Sequence, residues 1–191
     1  RERYVKKTFK FVARRYKLMN HLMTFGVDIL LRKEVMRIAK PQNGERLLDA
    51  GTGTGDLARE TRKVCPDAEI IAADFSLEMM TAESDWKNIQ RCQADALVFP
   101  FAGQCFDVIV SGYLVRNVAS LDTALAEQFR VLKQGGRIVV LDTTRPRKNL
   151  LTPLIKLYFR TIIPLLGMLL AGSVLLHRAL GRQLKRVAAN A

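Results

Sequence analysis

Apolar positions fall into two periods along this chain, and the change from one to the other marks out its parts. Over residues 5–39, Phe9, Val12, Tyr16, Met19 and Met23 recur at steps of three and four, which predicts helix with a break at residues 20–26. Residues 41–45 read as a turn. Five short apolar runs follow, at 46–50, 69–74, 89–94, 106–112 and 137–142. Helical patterns over 55–64, 77–85 and 121–133 separate several of them. Strands alternating with helices predict an α/β fold with a Rossmann-like, doubly wound and mainly parallel sheet. Gln134-Gly135-Gly136 predicts a helix stop and turn before the fifth strand.

Candidate chemistry gathers where the first run ends. Leu47-Leu48-Asp49-Ala50-Gly51-Thr52-Gly53-Thr54-Gly55-Asp56 carries an apolar strand into three alternate glycines and then a helix. The next run closes on Asp74. Glycines let the backbone turn sharply and approach a ligand, and a carboxylate at the second strand accepts from ribose hydroxyls. A nucleoside-containing cofactor is therefore expected at the carboxyl ends of the strands, where Gly51, Asp74, Asp95 and Gly112 fall. In a dinucleotide fingerprint the third glycine would stand at position 56, which is Asp56, and the lysine of a P-loop is missing. The apolar-apolar-acidic-x-G-x-G-x-G pattern resembles motif I of the Rossmann-like S-adenosylmethionine methyltransferases.

Charge divides the chain into three. Residues 1–40 carry 12 Lys/Arg against 3 Asp/Glu, residues 41–144 carry 10 against 15, and residues 145–191 carry 9 and no acid, within a net charge of +13. This suggests a helical lid (1–40), a mildly acidic cofactor-binding core (41–146) and an apolar, basic helical arm (147–191). Basic flanks fit a polyanion, and their aliphatic composition favours an anionic membrane surface over nucleic acid. Within the arm, Lys156, Arg160 and Pro164 argue against a spanning helix. An interfacial helix and a buried core or dimer helix both fit it. Three cysteines and two histidines at no metal-like spacing point to reduced thiols, a cytoplasmic setting and no metal site.

Several segments together resemble the ubiquinone/menaquinone biosynthesis C-methyltransferase family. They are Ala13-Arg14-Arg15-Tyr16-Lys17-Leu18-Met19-Asn20 with Met23-Thr24-Phe25-Gly26, the glycine loop, Gln93-Ala94-Asp95-Ala96 with Phe99-Pro100-Phe101, and Arg116-Asn117-Val118. Arg130-Val131-Leu132-Lys133-Gln134-Gly135-Gly136-Arg137, Val140-Leu141-Asp142-Thr143-Thr144-Arg145-Pro146 and Ile162-Ile163-Pro164-Leu165-Leu166-Gly167 continue it. Lys17 and Leu31 depart from the family's usual aspartate and tryptophan. After Ser173 the family's last two strands are missing, so the chain reads as shortened there. Ile138-Val139-Val140-Leu141 is then expected as an apolar sheet edge, covered by the arm, a partner subunit or a membrane.

The resemblance implies C-methylation of a polyprenyl hydroquinone, demethylmenaquinol in the menaquinone branch, with S-adenosyl-L-methionine as methyl donor. Asp49, Gly51, Thr52, Gly53, Thr54, Gly55, Asp74, Phe75, Asp95, Ala96 and Gly112 would bind the cofactor. Phe75 could instead be core packing, and Asp95 a turn residue. Arg116, Asn117 and Tyr16 are the candidate catalytic residues, and Tyr16, Asn20, Tyr113 and Arg116 the acceptor-binding ones. A surface ion pair is the alternative for Arg116, a packed aromatic for Tyr16. His21 on the lid is left out of the catalytic set. The implied partners are the quinol and the inner face of the membrane, with a homo-oligomer or a quinone-synthesis complex as further candidates. A methyltransferase for another lipid or small acceptor, or a non-catalytic cofactor-binding relative, would share these features.

Overall fold

In a computed structural model the described residues are 26–142, together with 157, 158, 160 and 161. The elements run α1 (Val27–Ala39), β1 (Arg46–Ala50), α2 (Asp56–Val64), β2 (Glu69–Asp74), α3 (Leu77–Thr81), β3 (Ile89–Gln93), β4 (Phe106–Gly112), α4 (Leu121–Val131) and β5 (Leu132–Leu141). The five strands form one parallel sheet in the order β3-β2-β1-β4-β5. Tyr16, Asn20, His21 and nearly all of the apolar arm lie outside the described residues.

Strands in the middle of such a sheet are covered on both faces, so their sequences are apolar throughout rather than alternating. Leu47 and Leu48 are adjacent, point to opposite faces and are both fully buried. On one side Leu47, Ile70, Val108 and Val110 meet Val35, Met36 and Ala39 of α1 and Leu57 and Ala58 of α2. On the other, Leu48, Ile71, Phe106 and Ile109 meet Phe99 and Val131. The chain reverses direction across the sheet between β1 and β4, the crevice where ligands of open α/β sheets bind.

Two boundaries differ from the sequence pattern for physical reasons. Helix α3 stops at Thr81, because the chain folds back and the Trp86 indole N–H donates to the Met80 and Glu83 carbonyls at 3.0 and 2.9 Å. Strand β5 starts at Leu132, which pairs with Phe106, and residues 133–136 bulge before Arg137 pairs with Val108. Gly135 takes φ +77° within the bulge, so the expected turn is built into the strand.

Strand β5, like β3, is an edge of the sheet among the described residues, and Val140 is 41 % exposed. Val139 and Leu141 pack against the α1 side of the core and Ile138 against the opposite side. Arg137 ties this edge to α1: its guanidinium donates to the Ala39 carbonyl, to the Lys40 carbonyl at 2.7 Å and to both Glu45 carboxylate oxygens at 2.9 and 2.7 Å. Arg137→Ala would leave the carbonyls at the end of α1 without these donors. A loss of about 1–3 kcal/mol in thermal unfolding is expected, and an unchanged midpoint would contradict the staple.

Candidate cofactor and acceptor site

The glycine loop is held from beneath by Asp49. This carboxylate is 1 % exposed, and its Oδ2 accepts from the Thr52 hydroxyl at 2.6 Å and the Ala58 N–H at 2.9 Å. One side chain thus fastens both the start of the loop and the first turn of α2. Its other oxygen is buried and has no hydrogen-bond partner among the described residues. Burial pushes the Asp49 carboxyl up to about 7; the bonds from Thr52 and Ala58 pull it down, and the nearby Asp74 and Asp56 add to the rise.

Gly51, Gly53 and Gly55 all have positive φ, at 70°, 56° and 81°. Two of them are crowded as well. A Cβ on Gly51 would stand 2.7 Å from Leu114 Cδ1, and one on Gly55 would run into the Trp86 ring. Gly51 and Thr52 donate to the Ala73 carbonyl, which binds the loop to the end of β2. Thr54 is buried, and its carbonyl accepts from Arg59 at 2.7 Å. Asp56 opens α2 between Arg59 at 2.5 Å and Arg32 of α1 at 3.1 Å.

Asp74 sits across from the loop. Its Oδ2 accepts from the Gly53 N–H at 2.7 Å and its Oδ1 from the Ser76 N–H at 2.8 Å. Phe75 is 74 % exposed, so its ring presents an open face beside the cleft rather than packing in the core. Asp95 closes a turn by accepting from the Leu97 N–H at 2.9 Å, next to the buried Ala96.

The opposite wall rises from the end of β4. After Gly112, Tyr113 adopts φ +60°, a left-handed conformation that costs an aromatic residue about 1–3 kcal/mol. The surroundings enforce it: Tyr113 N–H donates to the Leu141 carbonyl at 2.7 Å, and the Asn117 amide donates to the Tyr113 carbonyl at 2.7 Å. The Arg116 guanidinium carbon lies 4.8 Å from the centre of the Tyr113 ring. Asp142, just past β5, accepts from the Arg116 backbone N–H at 3.3 Å and stands 3.8 Å from its Nε.

The structure therefore ties the glycine loop to Asp49 and Asp74, and Tyr113 to Arg116 and Asn117, and Leu114 brings the loop after β4 against Gly51. Sequence reading does not single out three of their neighbours. Trp86 covers Gly55, Leu114 covers Gly51 and Asp142 holds Arg116. Only Asp142 carries a signal, since it closes an apolar run as Asp74 does. The residues present fit a nucleoside cofactor. The buried Asp49 oxygen lacks a donor among the described residues, the glycines leave backbone rather than side chain along the loop, and Phe75 offers an open ring.

Solved structures of similar fold include a protein of Methanococcus maripaludis described as an S-adenosyl-L-methionine-dependent methyltransferase, with a TM-score of 0.60 and 24% identity, over 69% of this chain and 62% of that one. A protein of Bacillus halodurans described as a methyltransferase has a TM-score of 0.56 and 20% identity, over 69% of this chain and 60% of that one. Sequence relatives are nearer. The chain is 42% identical over 175 residues to the ubiquinone/menaquinone biosynthesis C-methyltransferase of Desulfotalea psychrophila, covering 87% of this chain and 69% of the relative. It is 37% identical over 177 residues to the demethylmenaquinone methyltransferase of Thermus thermophilus, covering 90% and 80%. The family model described as the ubiE/COQ5 methyltransferase family matches residues 1–186, and the chain belongs to that family of methyltransferases.

Proposed function

We propose that this chain transfers a methyl group from S-adenosyl-L-methionine to a ring carbon of a polyprenyl hydroquinone, with demethylmenaquinol as the acceptor. Family membership supports the reaction class and the cofactor. The observation that supports the acceptor side is a guanidinium held against the Tyr113 ring on the strained loop after β4, next in the sheet to the strand that carries the glycine loop.

When bound, the cofactor supplies a sulfonium-activated methyl group. The chain's residues have two tasks. Asp74, the glycine backbone, Thr54 and Phe75 would hold the nucleoside and amino-acid parts, with Asp95 and Ala96 at the base and Gly112 as the floor. Ribose hydroxyls would take over the Asp74 oxygens that now accept from Gly53 and Ser76. Arg116 would face the acceptor. A phenol has a pKa of about 10, and the ring carbon gains nucleophilicity only as the hydroxyl proton leaves. A guanidinium at that oxygen stabilises the developing phenolate. Asn117 would hold the loop, and Tyr16 and Asn20 would close over the quinol.

The same reading puts the protein on the cytoplasmic membrane surface, where such an acceptor resides. The outward side of α1 supports it, with Leu30 64 % and Ile38 52 % exposed beside Lys33 and the Arg37–Glu34 ion pair. Among the described residues no helix is long and apolar enough to cross a membrane.

The test is a single-turnover assay with labelled S-adenosyl-L-methionine and reduced demethylmenaquinone in anionic vesicles. Methylated quinol should form, and Arg116→Ala should slow its formation by about 10²–10³-fold while cofactor binding persists. Tight cofactor binding with no transfer to any quinol would point to a non-catalytic relative instead.

A further inference from the structure

Arg116 is gripped by a residue outside the glycine loop and outside the loop that bears the arginine itself. We propose that this residue, Asp142, is a positioning residue: it sets the direction of the Arg116 guanidinium toward the acceptor. The inference rests on the reading of Arg116 as the acceptor-facing cation.

Three observations meet at this point. Asp142 uses one carboxylate oxygen for the Arg116 backbone N–H at 3.3 Å and keeps the other 3.8 Å from Nε. Backbone and side chain of the same arginine are therefore held by one group. The carboxylate is 14 % exposed while the arginine side chain is 47 % exposed, so the anchor is largely buried and the cation it holds reaches solvent. Finally, the Tyr113 ring lies under the guanidinium, and the Tyr113 backbone is tied to β5 by its bond to the Leu141 carbonyl, one residue before Asp142. The end of β5 thus fixes both surfaces that Arg116 rests on.

An arginine on a surface loop has many rotamers of similar energy. Here a carboxylate beside Nε and a ring beneath Cζ narrow that choice. The planar fork of a guanidinium matches an oxyanion only when its plane is set, and these two contacts set it. Asp142 need not touch the quinol to matter, because misplacing a stabilising group by about 1 Å can cost about 10²-fold in rate. Asp142→Asn keeps the shape and an oxygen for the Arg116 N–H, and removes the charge beside Nε.

The experiment compares single-turnover rates of the full chain, Asp142→Asn, Arg116→Ala and the double variant in the same vesicles, with cofactor affinity and thermal midpoint measured for each. Asp142→Asn should lower the transfer rate by about 10-fold or more, with cofactor affinity and thermal midpoint unchanged. In the Arg116→Ala background the same substitution should have no further effect, because Asp142 acts through the arginine. Asp142→Glu should recover part of the rate. Equal slowing in both backgrounds, weakened cofactor binding, or a full rate in Asp142→Asn would each overturn the role of Asp142 while leaving that of Arg116 standing. A full rate in Arg116→Ala would remove the acceptor-side reading and this inference with it.

Discussion

Gly55→Ala should lower stability by about 2–5 kcal/mol. The first contribution is backbone: at φ +81° an L side chain costs about 1–2 kcal/mol. The second is steric. The new methyl would press into two carbons of the Trp86 ring at 2.5 Å or less. That ring cannot swing away cheaply, since its N–H is committed to the Met80 and Glu83 carbonyls and its face meets Arg59 and Arg91. Overpacking of this kind costs about 1–3 kcal/mol more. Gly44 supplies the control, because it has φ +82° and a Cβ added there would meet nothing within 4 Å. Gly44→Ala should show the backbone cost alone. In calorimetry Gly55→Ala should melt about 10 °C below the parent protein, and Gly44→Ala markedly less. Equal shifts for the two would show that Trp86 does not press on the loop. Recovery of part of the loss in Gly55→Ala combined with Trp86→Ala would show that it does.

The contrast between these glycines also marks how far sequence could be read. The sharp turn through Gly51, Gly53 and Gly55 was legible, because glycine at alternate positions between a strand and a helix suits a backbone that side chains disfavour. What presses on them was not. Leu114 and Trp86 come from elsewhere in the chain, and nothing in an isolated apolar residue says which loop it will cover. The strands were legible for a related reason. Strands alternating with helical patterns implied a parallel sheet, and runs such as Leu47-Leu48 and Ile70-Ile71, with no polar face, fit strands covered on both sides. Strand β5 was harder, since its first residues bulge around Gly135 and read as a turn although Leu132 pairs in the sheet. On the acceptor side, Arg116 was suggested by position and resemblance. Its anchor Asp142 lies 26 residues away and is joined to it only by the fold.

Asp49 yields the second large effect, and its sign is opposite to that of an ordinary salt-bridged acid. Burial raises its carboxyl from 3.8 to about 7 in the folded protein. Between those values the folded state holds a proton that the unfolded chain has released, so stability falls as pH rises through the window and levels off above about 7. From pH 5 to pH 8 the loss is on the order of 3 kcal/mol, a drop of roughly 6–12 °C in melting temperature. Glu45 and Glu127 act differently. Hydrogen bonds from Arg137 and Arg130, respectively, hold them below the usual carboxylate range, so their stabilisation is lost only at lower pH. The two effects therefore separate along the pH axis. Asp49→Asn should flatten the slope between pH 5 and 8, since the amide can still accept from Thr52 and Ala58 but has no charge to desolvate. Cofactor should act in the same window. A ligand or water that donates to the second Asp49 oxygen favours the carboxylate, so binding should tighten toward pH 8 and release a proton near pH 6.5. Titration calorimetry in buffers of different ionisation enthalpy would measure that proton directly. A melting temperature whose pH slope is the same in Asp49→Asn as in the parent protein would assign the slope to other groups and leave Asp49 a fixed strut of the loop.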